Sequence, residues 1–510
     1  MVQKQIETEE KARAFINNSN SFDDVYFLNE PHVHAAITKD PVTKGSKYLI
    51  IEPSLSDSEK ASLTKIKEIL YEILDIDINN LGTRKEAEEY LKKAIGKIIR
   101  AYNIKLDAGV INKIEYYLIR DLINYGNIDA LMHDHMIEDI SCDGPNIPLY
   151  IWHRRRESMP TNILFKEDEL DAFVVRLAYL SNKHISIANP MVDASLPDGS
   201  RIQLTYGREV TRKGSTFTIR RFRADPLTVS DLMDFNTLSS ELAAWFWLTI
   251  ERKTNIVIGG GTASGKTTTL NALSAFIPPD DKVITIEDTA ELNIPHQNWI
   301  SSVARIGFGS IGGAAEISLF DLLKAAMRQR PDYVIVGEVR GGEAYTLFQA
   351  MATGHGGISS IHCDSTTAAL NRLESAPMNI PRTLLPTLNV IAMIRRMRLK
   401  DILTRKLSNI VEVVGLDPVS KEVLTNEVFR WDSYKDTFEY SGRSISFERI
   451  TELHGISQEQ LKDEWDRRKL ILDWILKNNI RRYDKVGAVI REYYTNPEKL
   501  LKRAKLGLSA

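Results

Sequence analysis

The sequence predicts an α/β fold built on a parallel sheet, and three observations support this. Short apolar strands at residues 256–258, 282–287, 332–338 and 357–362 alternate with segments of helical apolar spacing. Such alternation is typical of parallel sheets that helices cover on both faces. A glycine-rich turn joins the first strand to a helix that begins at Lys266. Acidic residues and histidines accompany the other strands, and we expect them at the carboxyl ends, where such sheets bind ligands.

The turn after the first strand has the pattern of a phosphate-binding loop. The G-x-x-x-x-G-K-[ST] motif is complete between a strand and a helix, as the pattern requires. Glycine lets backbone N–H groups approach a phosphate chain, and the helix N-terminus adds partial positive charge. We expect Lys266 to reach the β- and γ-phosphates of ATP, and the Thr267 hydroxyl to ligate Mg²⁺. The predicted nucleotide-binding residues are Gly260, Gly261, Thr262, Ala263, Ser264, Gly265, Lys266, Thr267 and Thr268.

The composition is that of a globular protein with several cores, since 510 residues are present and 43% of them are hydrophobic. The net charge of −2 argues against nucleic acid binding over the whole surface, but it does not exclude a local basic channel. Cys142 and Cys363 lie far apart in the sequence, so neither a disulfide nor a zinc framework is expected. No apolar run approaches the roughly 18 residues of a membrane span, and we expect any membrane contact to be peripheral.

Shifts in pattern predict two domains joined by a linker. The first domain begins with a polar head, continues with helical periodicity and ends with short alternating strands around a helix at 167–181. A polar stretch with Pro226 then leads into the domain that carries the phosphate-binding loop, which ends in helices. The predicted boundaries are 1–225 for the N-terminal α+β domain (head 1–30, mainly helical part 31–135, α+β part 136–225), 226–240 for the linker and 241–510 for the ATPase domain.

Carboxylates at the ends of two predicted strands are candidates to act on the attacking water and to hold a metal ion. Glu338 ends the third predicted strand, where a Walker-B acid is expected. Because Gly337 stands where many P-loop ATPases have Asp, we expect Glu338 to hold a water of the metal rather than to ligate Mg²⁺ directly. Glu287, Asp288 and Glu291 cluster at the end of the second strand, and Glu291 is the candidate base that orients the attacking water. The alternative is that Glu291 is a carboxylate at a helix start, where acids are common.

Four motifs occur in a fixed order along the chain. They are Gly-Thr-Ala-Ser-Gly-Lys-Thr-Thr-Thr-Leu at 261–270, Thr-Ile-Glu-Asp-Thr-Ala-Glu-Leu at 285–292, Arg-Pro-Asp-Tyr-Val-Ile-Val-Gly-Glu-Val-Arg at 330–340 and Thr-Gly-His-Gly-Gly-Ile-Ser-Ser-Ile-His-Cys-Asp-Ser at 353–365. Together they resemble the type II/IV secretion ATPases, the ring motors of secretion systems, type IV pili and archaeal flagella. The resemblance spans roughly residues 135–400.

This resemblance implies a RecA-like ATPase domain, a flexible linker and a hexamer that binds ATP and Mg²⁺. It maps Glu291 to the catalytic base of the family and Glu338 to its atypical Walker-B acid. His355 and His362 match the histidine box that senses nucleotide, although either histidine alone is more often a core or turn residue.

Three arginines precede the linker, at positions where the family has arginines that reach phosphates across a subunit interface. They are Arg201, Arg220 and Arg221. A guanidinium suits this role because its planar fork neutralises phosphoryl charge. The alternative is that each is a surface residue of a strand.

The resemblance is strongest to the archaeal branch and its flagellum (archaellum) motor ATPases, since the four-cysteine zinc module of many bacterial members is absent. It implies a cytoplasmic motor, peripheral at the inner face of the cell membrane. Its expected partners are a polytopic membrane platform protein and other components of the filament motor. An archaeal pilus-assembly or type II-like secretion ATPase is the first alternative. A nucleic acid translocase and a nucleotide-gated scaffold are less favoured, and no nucleic acid partner is expected.

Overall fold

The computed structural model describes residues 22–29, 32–39, 45–73, 83–222, 225–305, 316–399 and 402–509. The chain forms two compact units that divide between residues 222 and 223. Most of the predicted polar head, residues 1–21 and 30, lies outside the described residues, as does Ala224 before the predicted linker.

The first unit consists of two antiparallel sheets and five described α-helices. Its elements are β1 (Phe22–Asn29), β2 (Val33–Lys39), β3 (Ser46–Ile51), α1 (Asp57–Ile73), α2 (Arg84–Ala101), α3 (Ala108–Leu122), a 3₁₀ turn (Gly126–Ile128), α4 (Asp129–His133), β4 (Ile137–Cys142), β5 (Tyr150–His153), β6 (Glu157–Pro160), α5 (Glu167–Leu180), β7 (Met191–Ser195), β8 (Arg201–Thr205) and β9 (Thr216–Arg220).

The strands of this unit pair as β1-β2-β3 and as β6-β5-β4-β9-β8-β7. Leu170, Phe173 and Leu177 of α5 pack on the buried face of the six-stranded sheet. The three long helices α1, α2 and α3 form a separate core of their own. These helices and the strands β4, β5, β8 and β9 agree with the elements predicted from periodicity.

The prediction of a mainly helical segment at 31–135 after a polar head is wrong at its beginning, because β1, β2 and β3 form a sheet there. In β2 the side chains of Val33, Ala35, Ala36 and Ile37 are all buried, so the strand lacks the clean alternation that indicates a half-exposed sheet. Its pairing with β1 and β3 stabilises it, and pairing is not visible in a local pattern.

The second unit contains one nine-stranded sheet and its flanking helices. Its elements are α6 (Val229–Asp234), α7 (Ser240–Glu251), β10 (Ile256–Gly260), α8 (Lys266–Ser274), β11 (Val283–Glu287), β12 (Trp299–Val303), α9 (Leu319–Met327), β13 (Tyr333–Val336), α10 (Glu343–Ala352), β14 (Gly356–His362), α11 (Thr366–Glu374), a 3₁₀ turn (Arg382–Thr387), β15 (Val390–Leu399), β16 (Ile402–Leu416), β17 (Val423–Asp432), β18 (Thr437–Tyr440), α12 (Ile445–His454), α13 (Gln458–Lys477), α14 (Tyr483–Thr495) and α15 (Pro497–Ser509).

The strand order of this sheet is β12-β11-β13-β14-β10-β15-β16-β17-β18. Every pair from β12 to β15 is parallel, and every pair from β15 to β18 is antiparallel. The parallel part confirms the α/β prediction and contains all four predicted strands. The antiparallel extension β15–β18 was not predicted from the sequence.

Helices cover both faces of the parallel sheet, and β10 shows how. Its residues Ile256 and Ile258 join the core that includes α7, α8 and α13, whereas Val257 joins the core that includes α9, α10 and α11. This split follows from the alternation of side chains along a strand. Because both faces of the sheet are covered, this strand is apolar throughout. The loop that follows it emerges at the carboxyl ends of the parallel strands.

The predicted linker at 226–240 is not an open connection in this structure. Residues 229–234 form α6, and Val229, Leu232 and Leu238 are buried in the core of the second unit. The polar residues that suggested a linker instead cap the helix, since the backbone N–H and the hydroxyl of Thr228 both donate to the carboxylate of Asp231. Local polarity therefore marked a helix start, and the division between the two units lies a few residues before it, between residues 222 and 223.

Candidate active site

The predicted phosphate-binding loop connects β10 to α8, and two of its glycines stand where a larger residue would be strained or would clash. Gly265 has φ of +99°, in the left-handed region, immediately before the helix. A Cβ on Gly260 would lie 2.5 Å from Ser264 Oγ and 2.6 Å from the Ile394 carbonyl oxygen. The loop can therefore take this path only with glycine at these two positions.

Side chains of the loop stabilise it from within. The buried Ser264 hydroxyl donates to the Gly261 carbonyl oxygen at 2.9 Å, and the Lys266 ammonium donates to the same oxygen at 3.1 Å. Thr267 and Thr268 lie partly exposed in the first turn of α8. The lysine therefore lies across the loop, and the threonines stand at the helix N-terminus.

This loop has the features that a phosphate chain requires. The first N–H groups of a helix have no intrahelical acceptor and carry partial positive charge. A Cβ on Gly261 would meet no atom within 4 Å, so the loop leaves open space on that side. The lysine ammonium supplies a full positive charge, and the Thr267 hydroxyl is an oxygen ligand of the kind that Mg²⁺ prefers. Nucleotide phosphates with Mg²⁺ thus fit the residues present.

The register of the sheet brings other candidate groups to the same edge. Gly260 pairs with His362, Val336 pairs with Ser359, and Ile286 pairs with Val336. The carboxyl ends of β10, β14, β13 and β11 are therefore aligned. The phosphate-binding loop, His362, Glu338 and the loop that carries Glu291 all begin at this edge, which we call the phosphate edge.

Glu338 lies two residues beyond the end of β13 and pairs with Arg340. An Arg340 guanidinium N–H donates to Glu338 Oε2 at 2.8 Å, and the same guanidinium lies 3.7 Å from Asp288. Partial burial acts to raise the pKa of Glu338, but the hydrogen bond and charge of Arg340, with the charges of Lys266 and His362, outweigh it and lower the pKa. The carboxylate is therefore held ionised near the lysine.

Glu291 is partly buried in the irregular segment that follows β11. Its backbone N–H donates to the carboxylate of Glu287, the last residue of β11, at 2.9 Å. Burial raises the pKa of Glu287 to about 7, although hydrogen bonds from the Glu291 and Leu292 amides act in the opposite direction. The two acids of this motif thus have different environments, one deeply buried and one nearer the surface.

The structure separates the two predicted histidines. His362 ends β14 at the phosphate edge, whereas His355 precedes β14 at the opposite edge, where its Nδ1 lies 3.2 Å from both Thr353 Oγ1 and the Ala350 carbonyl oxygen. The expectation that both lie at carboxyl ends is wrong for His355. Six residues of extended strand lie between the two histidines, which places them about 20 Å apart.

The three predicted arginines differ in their surroundings within the first unit. Arg201 forms a bidentate ion pair with Asp193, with N···O distances of 3.1 and 2.7 Å. Arg220 is exposed and lies opposite Arg201 in the register of β8 and β9. Arg221 instead points inward, donates to the Asp134 and Ile137 carbonyl oxygens and has its pKa lowered by burial. Its contacts are those of a structural residue.

Arg340 and Arg405 also lie at this site and were not among the residues predicted from the sequence. The side chain of Arg405, in β16, donates to the Ala263 carbonyl oxygen at 3.2 Å, so it lies against the outside of the phosphate-binding loop. Arg396 of β15 pairs with Arg405 across the hairpin and shares its face. Arg340 stands two residues beyond Glu338 in a motif already noted, so its charge could have been found. Nothing local indicated Arg405, because its contact spans 142 residues.

Among the residues that the structure describes, no helix has the length and apolarity needed to cross a membrane.

Comparison with known proteins gives a consistent picture. Residues 128–449 match the family described as Type II/IV secretion system protein. Protein MJ0900 of Methanocaldococcus jannaschii is 35% identical over 496 residues, which cover 92% of this chain and 88% of that protein. The type IV secretion system protein PtlH of Bordetella pertussis is 32% identical over 272 residues, covering 48% of this chain and 78% of that protein.

Among solved structures, the pilus retraction motor PilT with bound ADP aligns with a TM-score of 0.39 and 19% identity, covering 66% of this chain and 88% of PilT. The family match extends over more than half of the chain, and the archaeal relative aligns over nearly all of it. This chain therefore belongs to the type II/IV secretion ATPase family, with the RecA-like α/β fold that its sequence predicts.

Proposed function

We propose that this protein is a hexameric ATPase that powers assembly or rotation of an archaeal type IV pilus-like filament, the archaellum, from the inner face of the cell membrane. The observation that carries the ATPase part is the phosphate edge, where one sheet aligns the phosphate-binding loop with Glu338, His362 and the Glu291 segment. Membership of the family supports the link to a membrane-associated machine.

Each residue at the phosphate edge has a role in this proposal. Lys266 contacts the β- and γ-phosphates, and Glu291 accepts a proton from the attacking water. Thr267 would ligate Mg²⁺ directly and Glu338 would hold it through a water, and the bound metal would neutralise charge on the phosphates. Arg340 keeps Glu338 ionised through their 2.8 Å hydrogen bond. His362 stands beside the loop at a position where it can respond to the nucleotide.

In the proposed hexamer, the first unit is an N-terminal domain and the second is the ATPase domain, and arginines of the first serve a site on a neighbouring subunit. Arg201 and Arg220 are the candidates because both lie partly or fully exposed at the ends of β8 and β9. The inward contacts of Arg221 favour a structural role for it. Closure of domains around a nucleotide is a common way for such motors to move.

Mixing two inactive variants tests this arrangement. Arg220→Ala subunits and Lys266→Ala subunits should each be inactive alone and should regain part of the ATP turnover when they are assembled together, because some interfaces then contain both residues. Arg221→Ala serves as the comparison and should not be rescued. If rescue of Arg220→Ala fails while native mass spectrometry shows mixed rings, the arginine does not act across a subunit boundary.

The proposed partners are a polytopic membrane platform protein and other components of the filament motor. The alternatives from sequence, a pilus-assembly or secretion ATPase and a nucleic acid translocase, predict different activators. ATP turnover of the purified protein should rise with vesicles of anionic lipid and stay unchanged with DNA. Lys266→Ala should abolish turnover, and cells that carry it should lose motility. Stimulation by DNA alone would favour the translocase, and loss of pili with normal motility would favour the pilus ATPase.

A further inference from the structure

Glu287 is the least exposed acidic side chain at the phosphate edge, with 3% of its surface accessible. Its Oε1 accepts two backbone hydrogen bonds, from the Glu291 N–H at 2.9 Å and from the Leu292 N–H at 3.0 Å. Glu287 Oε1, at the end of β11, therefore fixes the backbone of the following segment at Glu291, which is the predicted catalytic base.

The segment that Glu287 holds has little regular structure to position it. Residues 288–298 contain neither a helix nor a strand. Its other described polar connections are the 3.7 Å ion pair of Asp288 with Arg340 and, after Glu291, the bond from the Asn293 N–H to Asn271 Oδ1 of α8 and the 3.0 Å contact of His296 Nε2 with the Ile277 carbonyl oxygen. The side chains of Leu292 and Ile294 are also buried in the core of this unit. The first described backbone hydrogen bonds of this segment are thus the pair to Glu287, and one of them acts at Glu291 itself.

Glu287 also contacts the second catalytic segment. A Cβ on Gly337 would lie 3.3 Å from Glu287 Cγ, so this side chain lies against the residue that precedes Glu338. The other oxygen, Oε2, is buried and has no hydrogen-bond partner. Glycine at 337, where many P-loop ATPases have Asp, therefore leaves room for the Glu287 side chain between the two loops.

We propose that Glu287 is a positioning residue of the ATPase, an inference that rests on the proposed function. Through Oε1 it fixes the backbone at Glu291 and Leu292, and so sets where the Glu291 carboxylate stands relative to the phosphate-binding loop. It acts through Glu291 and does not itself take the proton of the attacking water. The carboxylate charge is then dispensable, whereas the acceptor oxygen is essential.

Two substitutions at Glu287 separate positioning from direct catalysis. Glu287→Gln keeps an oxygen that can accept both N–H bonds, so kcat should stay within about threefold of the wild-type value. Glu287→Ala removes the acceptor, and kcat should fall about 100-fold with little change in KM, as expected when a catalytic group is misplaced by about 1 Å. In hydrogen exchange, the Glu291 and Leu292 amides should exchange faster in Glu287→Ala than in Glu287→Gln.

Glu412 offers a matched control in the same sheet. It is 1% exposed and also accepts two backbone N–H bonds, from Ile445 at 2.7 Å and from Ser446 at 2.8 Å, but at the opposite end of the strands. Glu412→Gln and Glu412→Ala should leave the kcat of folded protein unchanged. Thermal melting identifies the folded variants, and if Glu287→Ala does not fold, Glu287→Asp replaces it with the same expected loss of kcat.

Equal inactivity of Glu287→Gln and Glu287→Ala, with protected amides at Glu291 and Leu292 in both, would overturn the inference, because the charge would then act directly. Normal kcat in Glu287→Ala would overturn it as well. The proposed function fails in a different way, if wild-type and Lys266→Ala proteins hydrolyse ATP equally. The exchange of the two amides is measured without turnover, so it tests the tether in either case.

Discussion

Glu287 and Glu412 are almost equally buried glutamates of one sheet, yet they lie at opposite ends of its strands. Both oxygens of Glu412 are satisfied, by Ser444, Ile445, Ser446 and Asn426, and the carboxylate caps the start of α12. Glu287 has one oxygen without a partner and holds a segment that carries a candidate catalytic base.

The histidines repeat this contrast. His362 ends β14 at the phosphate edge, whereas His355 precedes the same strand and contacts a helix end. In both pairs the residue type is the same, and only the end of the strand differs. At the amino edge, Glu412 and His355 contact only backbone and side-chain groups of neighbouring elements in the described residues. At the carboxyl edge, Glu287 holds the segment of the candidate base and His362 lies beside the phosphate-binding loop, and this is the edge where parallel sheets generally bind ligands.

The largest effect is expected from substitutions that neutralise the two acids proposed to act at the phosphate edge. Glu291→Gln and Glu338→Gln should each lower kcat by about 10²–10⁴-fold while nucleotide affinity stays near the wild-type value, because each loses a charge near the reacting water without emptying the site. Steady-state turnover and binding of a fluorescent ATP analogue measure the two quantities. Normal turnover in Glu291→Gln would show that the base lies elsewhere.

An intermediate effect should distinguish the histidines. His362→Ala should lower ATP turnover by about tenfold, which corresponds to one lost hydrogen bond to a charged group. His355→Ala should leave turnover unchanged, since about 20 Å of strand separates it from the phosphate edge. Both variants are compared at equal ring concentration. A greater loss in His355→Ala would mean that the amino edge also contributes to an active site, for example that of a neighbouring subunit.

The smallest effect concerns the hairpin beside the loop. Arg405→Gln should weaken nucleotide binding by about fivefold, or about 1 kcal/mol, because the loop loses its contact at the Ala263 carbonyl oxygen. Arg395→Gln is the control, since Arg395 is exposed and pairs with Lys406 on the other face of the same hairpin. Titration calorimetry with ADP reports the affinities. Equal ADP affinities for the two variants would show that the contact of Arg405 with the loop does not contribute to nucleotide binding.

Much of the ATPase unit could be predicted because its determinants are local. A run such as Ile256–Val257–Ile258 followed by glycines and Lys266 contains its own strand, turn and helix start. The antiparallel strands β15–β18 and the first sheet β1–β3 were missed for the opposite reason, since a strand is stabilised by partners elsewhere in the chain. The predicted linker was wrong because polarity in a helix cap resembles polarity in a loop.

The site residues divide in the same way. Sequence by itself determined the nucleotide motif, the two acidic motifs and the family they resemble, because each motif places its residues within a few positions of one strand end. Only the tertiary structure decided which strand ends lie together. His362 pairs with Gly260, His355 lies at the opposite end of β14, and Arg405 contacts the phosphate-binding loop. The physical reason is that the register of a parallel sheet is set by pairing between distant strands, and that pairing determines which side chains share an edge.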